Sequence, residues 1–260
     1  MMDSQVLYPP IGLVVGLVVG LTGVGGGSLM TPILVFVFRV PINIAVGTDL
    51  AFASLTKIVG VTAHNARGNI AWPIVGKLAA GSIPASIVTT IALGYLRAGG
   101  RPLEGLILPV LGLSLVGTAI AIFLRPRILA AGERHHQRTE NASSVMTVGS
   151  GVVLGVVVTL TSVGAGAIGT AMLMLLYPLL RPATVVGSDL AHAIPLLTVA
   201  GLGHLQLGNI DYRMLAGLLL GSVPGIYIGS TMSSRLPDGL MRNILAGVLL
   251  VMGITCVLGG

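Results

Sequence analysis

The sequence is poor in charged residues, and this scarcity narrows the class of protein that it encodes. Only 8% of its 260 residues are Asp, Glu, Lys or Arg, and the formal net charge is +6. A soluble domain devotes roughly a quarter of its residues to charge, so these side chains are too few to cover a surface that faces water. The scarcity therefore excludes a soluble enzyme, a disordered chain and a nucleic-acid-binding protein.

Cysteine and aromatic residues are also scarce. Cys256 is the single cysteine of the sequence, which excludes an internal disulfide and a multi-cysteine metal site. Aromatic residues make up 4%, whereas there are 38 glycines and 14 prolines. This combination is typical of closely packed membrane helices. A basic region before the first apolar residues is missing, so we expect no removable signal peptide, and we expect neither a metal nor a cofactor.

The hydrophobic residues are grouped in apolar runs. A helix needs about 20 residues to cross the roughly 30 Å hydrocarbon core of a bilayer. Runs of sufficient length are residues 40–63, 70–96, 103–124, 182–206, 210–234 and 239–258, and shorter runs are 6–22, 28–38, 145–160 and 167–180. Strands of a membrane barrel would alternate instead. The runs predict an all-α polytopic membrane protein.

One succession of motifs occurs twice along the chain. Residues 21–27 (LTGVGGG) match 160–166 (LTSVGAG), and residues 46–51 (VGTDLA) match 186–191 (VGSDLA). The further matching pairs are GNI at 68–70 and 208–210, and GSIP at 81–84 with GSVP at 221–224. Such a repeat indicates a duplicated domain. We predict two homologous repeats of four to five helical segments, at 1–124 and 145–260, each with a Gly-broken helix near its start.

The segment between the repeats, residues 125–144, is polar and carries four of the 14 basic residues. Short loops rich in Lys and Arg stay in the cytoplasm, so we predict a cytoplasmic linker. An odd number of crossings in each repeat would then invert the second repeat and place both termini outside. The lack of Lys and Arg at either end of the sequence favours this inverted arrangement.

Each repeat has a glycine-rich break between two short apolar segments. The residues concerned are Gly25, Gly26, Gly27 and Ser28 in the first repeat and Gly164 and Gly166 in the second. Broken helices at matching positions indicate a transporter's binding site, because the helix N-terminus behind a break attracts anions. The alternative is that these glycines only let helices pack closely. We predict that they line the substrate site.

Two carboxylates lie at equivalent positions inside apolar runs. Asp49 follows Thr48, and Asp189 follows Ser188. A carboxylate in the bilayer is energetically expensive and by default marks a functional site. Either each acid caps a helix that is broken at the glycine two residues earlier, or it binds a coupling proton or cation, and both interpretations stay open here. We predict the two hydroxyl residues to be substrate ligands.

Two further ionisable residues lie within apolar runs. Lys57 is isolated there, and Leu197 stands in its place in the second repeat. Its ammonium either binds an anionic substrate, which we predict, or extends to the nearer membrane surface. His192 lies three residues after Asp189, so the two side chains point to one helix face. A proton relay or a static hydrogen bond would explain that pair.

The motifs, in this order, resemble those of the sulfite exporter TauE/SafE family, also called the 4-toluene sulfonate uptake permease family. The likeness is carried by residues 21–34, 46–60 and 64–70 and by their copies after residue 160. The resemblance implies a bacterial inner-membrane permease with duplicated halves. It implies an association with sulfite, sulfonates, sulfoacetate and related organic anions, driven by an ion gradient.

The resemblance also bears on individual residues. It implies that Gly25 to Ser28, Thr48, Asp49 and their counterparts in the second repeat shape the translocation site. Ala165 and Ala167 stand where the first repeat has Gly26 and Ser28. We therefore expect the two breaks to be unequal binding partners.

Together these features predict a secondary transporter of small anions, above all sulfur-containing ones, that works by alternating access. Asp49, Asp189 and His192 would couple transport to a proton or cation gradient. A passive anion channel is the alternative. An intramembrane enzyme is a weaker one, because no nucleophile stands beside a base, so we expect no catalysis. The partners would be the bilayer, the anion and the coupling ion, without nucleic acid, and the sequence leaves the oligomeric state open, a homodimer included.

Overall fold

The computed structural model describes residues 4–22, 27–134, 144–232 and 238–258. All regular structure in these ranges is α-helical, which confirms the predicted fold class. The helices are α1 (Ser4–Thr22), α2 (Gly27–Phe36), α3 (Ile42–Ala66), α4 (Trp72–Ala98), α5 (Glu104–Arg134), α6 (Ser144–Thr161), α7 (Ala167–Leu176), α8 (Pro182–Gln206), α9 (Tyr212–Met232) and α10 (Asp238–Leu258). Each apolar run of the sequence corresponds to one of them.

Several helices have the length and apolar character of membrane spans. Among the described residues these are α3, α4, residues Glu104–Arg127 of α5, α6 and α8. Their outward faces carry large apolar side chains, such as Val88, Ile91, Leu113 and Phe123, which are all more than half exposed. Lipid, rather than water, suits a surface of this kind. The chain is a multi-pass membrane protein.

Two short helices hold matching places in the series. α2 and α7 each contain 10 residues and are therefore about 15 Å long, half of the hydrocarbon core. The connector before α7 turns sharply, with φ of 60° at Ser162, 114° at Gly164 and 150° at Gly166. Glycine adopts such angles without a steric penalty. Gly25 and Gly26, in the corresponding connector of the first repeat, lie outside the described residues.

The helices that carry the two buried acids are continuous. α3 runs through Gly47, and α8 runs through Gly187. The interpretation that each acid caps a helix broken at these glycines is therefore wrong. The glycines serve close packing instead, since a Cβ at Gly47 would collide with the carbonyl oxygen of Asn209, and one at Gly187 with that of Asn69.

Helices at equivalent positions of the two repeats pack antiparallel. Gly47, near the start of α3, touches the turn after the end of α8, and Gly187, near the start of α8, touches the turn after the end of α3. In the pair of α5 and α10, Gly112 faces Cys256 while Gly253 faces Val116. Inverted repeats require such opposite directions, because their symmetry axis lies in the membrane plane. The inverted duplication itself stays a prediction from the sequence.

Two other helix pairs run parallel and approach closely through glycine. In α9, a Cβ at Gly221 would collide with the carbonyl of Pro9 in α1. In α4, a Cβ at Gly81 would collide with the carbonyl of Val148 in α6. Small residues at such contacts allow membrane helices to pack backbone against backbone. Each of these pairs joins a helix of one half to a helix of the other.

Helix α5 is longer than the apolar run that predicts it. The sequence predicts the end of that run at residue 124, whereas α5 continues to Arg134 and contains Pro126. A helix can continue through polar residues after it leaves the hydrocarbon core. The end of an apolar run therefore does not fix the end of its helix. Residues 135–143 of the predicted linker lie outside the described residues.

Candidate transport site

Ionisable side chains are buried where α3 and α8 meet the α6–α7 connector. Asp49 is 0%, Lys57 4%, Asp189 1% and His192 1% exposed. All four lie on helices of membrane-spanning length. Charged groups inside a membrane protein are expensive and mark ion or substrate pathways. This cluster, which we call the central cluster, is the candidate site.

Asp49 is held by the short helix of its own repeat. Its Oδ2 accepts a hydrogen bond from the Thr31 backbone N–H (3.2 Å) and another from the Thr31 hydroxyl (2.6 Å). Thr31 lies in α2, whose N-terminal end carries partial positive charge that favours a nearby carboxylate. The buried hydroxyl of Ser162 in the second repeat lies near Asp49, but Asp49 Oδ1 and Ser162 Oγ make no hydrogen bond.

Asp189 occupies the equivalent place in the second repeat but lacks such support. Neither of its carboxylate oxygens has a hydrogen-bond partner. It lies against the first turn of α7, where a Cβ on Gly169 would collide with Asp189 Oδ1. The hydroxyl of Thr170, which corresponds to Thr31, instead donates to the carbonyls of Gly166 and Ala167 within its own helix. The two acids are therefore unequal in their surroundings.

Lys57 links the first repeat to the connector of the second. Its Nζ donates a hydrogen bond to the carbonyl oxygen of Ala165. The ammonium also interacts electrostatically with both acids. Because Lys57 is buried and bonded to the connector, it does not extend to the membrane surface. Its role as a substrate ligand stays a prediction.

His192 faces α4 rather than Asp189. Its Nε2 lies 2.8 Å from Ser82 Oγ. Because the oxygens of Asp189 have no hydrogen-bond partner, the His192–Asp189 hydrogen bond considered from the sequence is not formed. Lys57 is the charged group that acts on His192. The histidine thus belongs to the central cluster through the lysine, and its coupling role stays a prediction.

The hydroxyls that precede the acids hold the two halves together. Thr48 Oγ1 accepts a hydrogen bond from the backbone N–H of Asp211 (3.1 Å), and Ser188 Oγ accepts one from the N–H of Ala71 (2.8 Å). Asp211 and Ala71 occupy equivalent positions after the two GNI turns. Both hydroxyls are fully buried. They therefore have a structural partner, and their part in substrate binding stays a prediction.

Among the described residues, the glycines predicted to be ligands lie at the start of α2 or just before α7. Gly27 begins α2, and Gly166 immediately precedes α7. The carbonyl of Gly164 accepts a hydrogen bond from Gly169 N–H (3.1 Å), so this glycine shapes the entry into α7. The side chain of Ser28 lies outside what the structure describes. Whether these residues bind substrate stays a prediction.

Four contributors to the central cluster escape sequence reasoning: Thr31, Ser82, Ser162 and Ala165. Ser82 lies in the repeated GS[IV]P motif, and Ser162 stands where the first repeat has Gly23, so both have a recognisable signal in the sequence. Thr31 and Ala165 lie within segments 21–34 and 160–166, but neither residue type there indicates a contact with a charged group. Their contacts arise only when distant segments of the chain pack together.

The central cluster combines charged groups of both signs. Among the described residues, no group of three or more His, Cys, Asp or Glu side chains could hold a metal ion. One ammonium stands beside two carboxylates, and several of their oxygens are unsatisfied. Buried polar groups without partners are costly, so this arrangement favours binding of a further proton or polar ligand.

Comparison with known proteins finds membrane transporters that are similar to this chain. The sequence model of the family described as "Sulfite exporter TauE/SafE" matches residues 8–256. The chain is 38% identical over 250 residues to the "Probable membrane transporter protein YjnA" of Bacillus subtilis, covering 95% of this chain and 97% of that protein. It is 29% identical to YdhB of the same organism, covering 91% and 96%, and 26% identical to a Methanocaldococcus jannaschii protein, covering 95% and 93%.

No solved structure matches the chain. The relatives carry transporter names and are covered almost from end to end, and the family match extends across nearly all of the helices described above. This chain belongs to the TauE/SafE sulfite exporter family of membrane transporters.

Proposed function

We propose that this protein is a secondary transporter of small anions, with sulfite, sulfonates and similar sulfur-containing anions as the first candidates. It would act in a bacterial inner membrane by alternating access, coupled to a proton or cation gradient. The observation that carries the proposal is the buried ammonium of Lys57 at the connector between α6 and α7. The sulfur-containing substrate class rests on the family description.

The position of Lys57 supports anion binding. An ammonium in the interior of a membrane protein requires negative partners, because its desolvation is otherwise uncompensated. Asp49 and Asp189 act on Lys57 electrostatically, but its hydrogen bond goes to a carbonyl, which is a neutral acceptor. A small oxyanion in contact with Lys57 would supply a charge-assisted hydrogen bond instead, and such bonds are about twice as strong as neutral ones.

The short helices support the same site. α7 begins directly after the connector that Lys57 contacts. N–H groups at a helix N-terminus and the positive end of its dipole stabilise an anion. Broken helices at matching positions are where secondary transporters hold their substrates, and relative movement of the repeats then exposes the site to each side in turn.

Flux into proteoliposomes tests the proposal. With an imposed proton or sodium gradient, the purified protein should accumulate sulfite or methanesulfonate above its equilibrium level. The Lys57→Gln variant should lose at least about tenfold in initial rate, because one charge-assisted contact is worth roughly 1.5–3 kcal/mol. Lys77→Gln, a change of the same kind near the start of α4, serves as the matched control and should leave the rate unchanged.

Three results would count against the proposal. Absence of flux for every sulfur oxyanion, sulfonate and carboxylate tested, with correctly folded protein, would remove it. Downhill flux that ignores every imposed gradient would replace it with the passive channel. Equal loss in Lys57→Gln and Lys77→Gln would show that Lys57 does not form the anion site.

A further inference from the structure

The two buried acids differ in a way that separates their functions. Asp49 receives two hydrogen bonds from Thr31. Asp189, equally buried at the same place of the second repeat, receives none on either oxygen. A polar group that is buried without partners loses its hydration and gains nothing in return. Buried polar groups without a partner are exceptions in native proteins, and each requires an explanation.

Asp189 and an anionic substrate require the same positive charge. Lys57 is the charged group that acts on Asp189, and its ammonium is held at the carbonyl of Ala165, directly before α7. Asp189 also lies against the first turn of α7, where the helix dipole favours an anion. The carboxylate therefore occupies the electrostatic position that a bound oxyanion would take.

The formal charges of the central cluster oppose the entry of an anion alone. Two carboxylates and one ammonium give the central cluster a net charge of minus one, since −2 + 1 = −1. A monoanion that entered alone would change the net charge of the cluster from minus one to minus two. In a medium of low dielectric constant this is strongly unfavourable. A monoanion that entered together with one proton on Asp189 would leave the net charge unchanged.

We propose that Asp189 carries the coupling proton and that an anion binds beside Lys57 only when Asp189 is protonated. The proposal rests on the proposed anion transport and gives it a mechanism of proton–anion cotransport. Protonation removes the internal competitor for the lysine, and loss of the proton restores the competitor and expels the anion. Asp49, held by Thr31, stays in place as part of the scaffold.

The groups around Asp189 are compatible with a single titrating site. α3 contributes Lys57 and Asp49 to the central cluster. His64, near the end of the same helix, lies against Gly187 of α8, two residues before Asp189. On α8 itself, His192 is directed to Ser82 and His204 to the carbonyl of Thr159. α6 and α7 contain no ionisable residue. On α4 the ionisable groups are Lys77, Tyr95 and Arg97, and Arg97 bonds to the turn after α8.

A proton explains these surroundings better than a metal cation. A sodium ion beside Asp189 would be repelled by the ammonium of Lys57, which is already the dominant charge there. Hard cations also require several oxygen ligands at once. A proton needs only one carboxylate oxygen and brings its own hydrogen-bond donor.

Binding measurements on the full-length wild-type protein provide the first test. The probe is methanesulfonate, a monoanion whose charge stays constant from mildly acidic to mildly alkaline pH. Calorimetry in buffers with different ionisation enthalpies should show uptake of about one proton per bound anion, and the affinity should fall by up to about tenfold per pH unit on the alkaline side. Binding without proton uptake would overturn the proposal, as would a requirement for sodium.

Substitution of each acid provides the second test. Asp189→Asn, which imitates the protonated carboxyl, should bind the anion with at most about a twofold change across the same pH range and should carry out downhill exchange without proton-driven accumulation. The matched variant Asp49→Asn should keep the pH dependence of the wild type. If Asp189→Asn keeps the steep pH dependence, the proposal fails while anion transport stands. If the wild type neither binds nor moves any anion tested, the proposed function fails first.

Discussion

Thr31 donates two hydrogen bonds to Asp49, whereas Thr170, at the same place in the second repeat, turns its hydroxyl to carbonyls of its own helix. The side-chain bond of Thr31 is therefore tertiary, since it ties α2 to α3. In membrane proteins such bonds contribute about 0.6 kcal/mol on average and up to roughly 2 kcal/mol. A carboxylate acceptor belongs to the upper part of that range.

We expect Thr31→Val to lower the free energy of unfolding by about 1–2 kcal/mol, because valine keeps the shape but removes the hydroxyl donor to Asp49. Denaturant unfolding of the purified protein in detergent measures this. Thr170→Val is the matched control and should change the stability by no more than about 0.5 kcal/mol, because its hydroxyl serves only its own helix. Equal losses in the two variants would contradict the asymmetry between the acids.

At the scale of the helix, the contact of α4 with α6 depends on missing side chains in both helices: Gly81 in α4, and Gly151 and Gly155 in α6. A Cβ at Gly81 would collide with the carbonyl of Val148, whereas one at Gly76, earlier in the same helix, would meet nothing. Alanine is the better helix former at both positions. Packing between helices, and not helix propensity, must therefore decide the effect of a substitution.

We expect Gly81→Ala to destabilise the protein by about 1–3 kcal/mol, which is the usual cost of adding a methyl group to a closely packed contact. Gly76→Ala should be neutral or slightly stabilising. Thermal unfolding in detergent, followed by the fraction that stays monodisperse, compares the two. A similar change in both variants would show that α4 and α6 do not meet through this glycine.

The elements were largely predictable from the sequence, whereas the central cluster was predictable only in part. Apolar runs mark helices because a membrane span must be continuously hydrophobic, and each predicted run matches a helix. Asp49, Asp189 and Lys57 stand out because charge in such runs is rare. The bond from Lys57 to Ala165 joins residues 108 positions apart, and no local pattern contains such a contact.

The sequence left open whether α3 and α8 are continuous, for a similar reason. Glycine followed by a hydroxyl residue and an acid is a typical helix start, so a break at Gly47 or Gly187 was a reasonable expectation. In the folded chain each glycine instead admits the turn of the opposite half, and each hydroxyl binds the N–H behind that turn. Tertiary packing thus assigns the motif a different purpose from the one its local pattern indicates.

At the scale of the whole molecule, helix directions divide the basic residues between two faces. α3 and α8 run in opposite directions, as do α5 and α10, so the ends of α3 and α5 share one face with the start of α8. That face carries Arg67, Lys77, Arg125, Arg127, Arg134 and Arg181, and the opposite face carries Arg39, Arg97, Arg101 and Arg213. Cytoplasmic faces hold the excess of Lys and Arg. This distribution agrees with a cytoplasmic linker between inverted repeats.

Labelling of single cysteines tests that orientation with a matched pair of sites. Ala66 and Gln206 are the exposed last residues of α3 and α8 and occupy equivalent positions in the two repeats. In a Cys256→Ala background, which removes the native thiol, Gln206→Cys should react with a membrane-impermeant maleimide in intact cells. Ala66→Cys should react only after the membrane is opened, because inverted repeats place equivalent turns on opposite sides. Labelling of both sites from the same side would show that the halves are not inverted, whereas the reverse pattern would keep the inversion and turn the molecule over in the membrane.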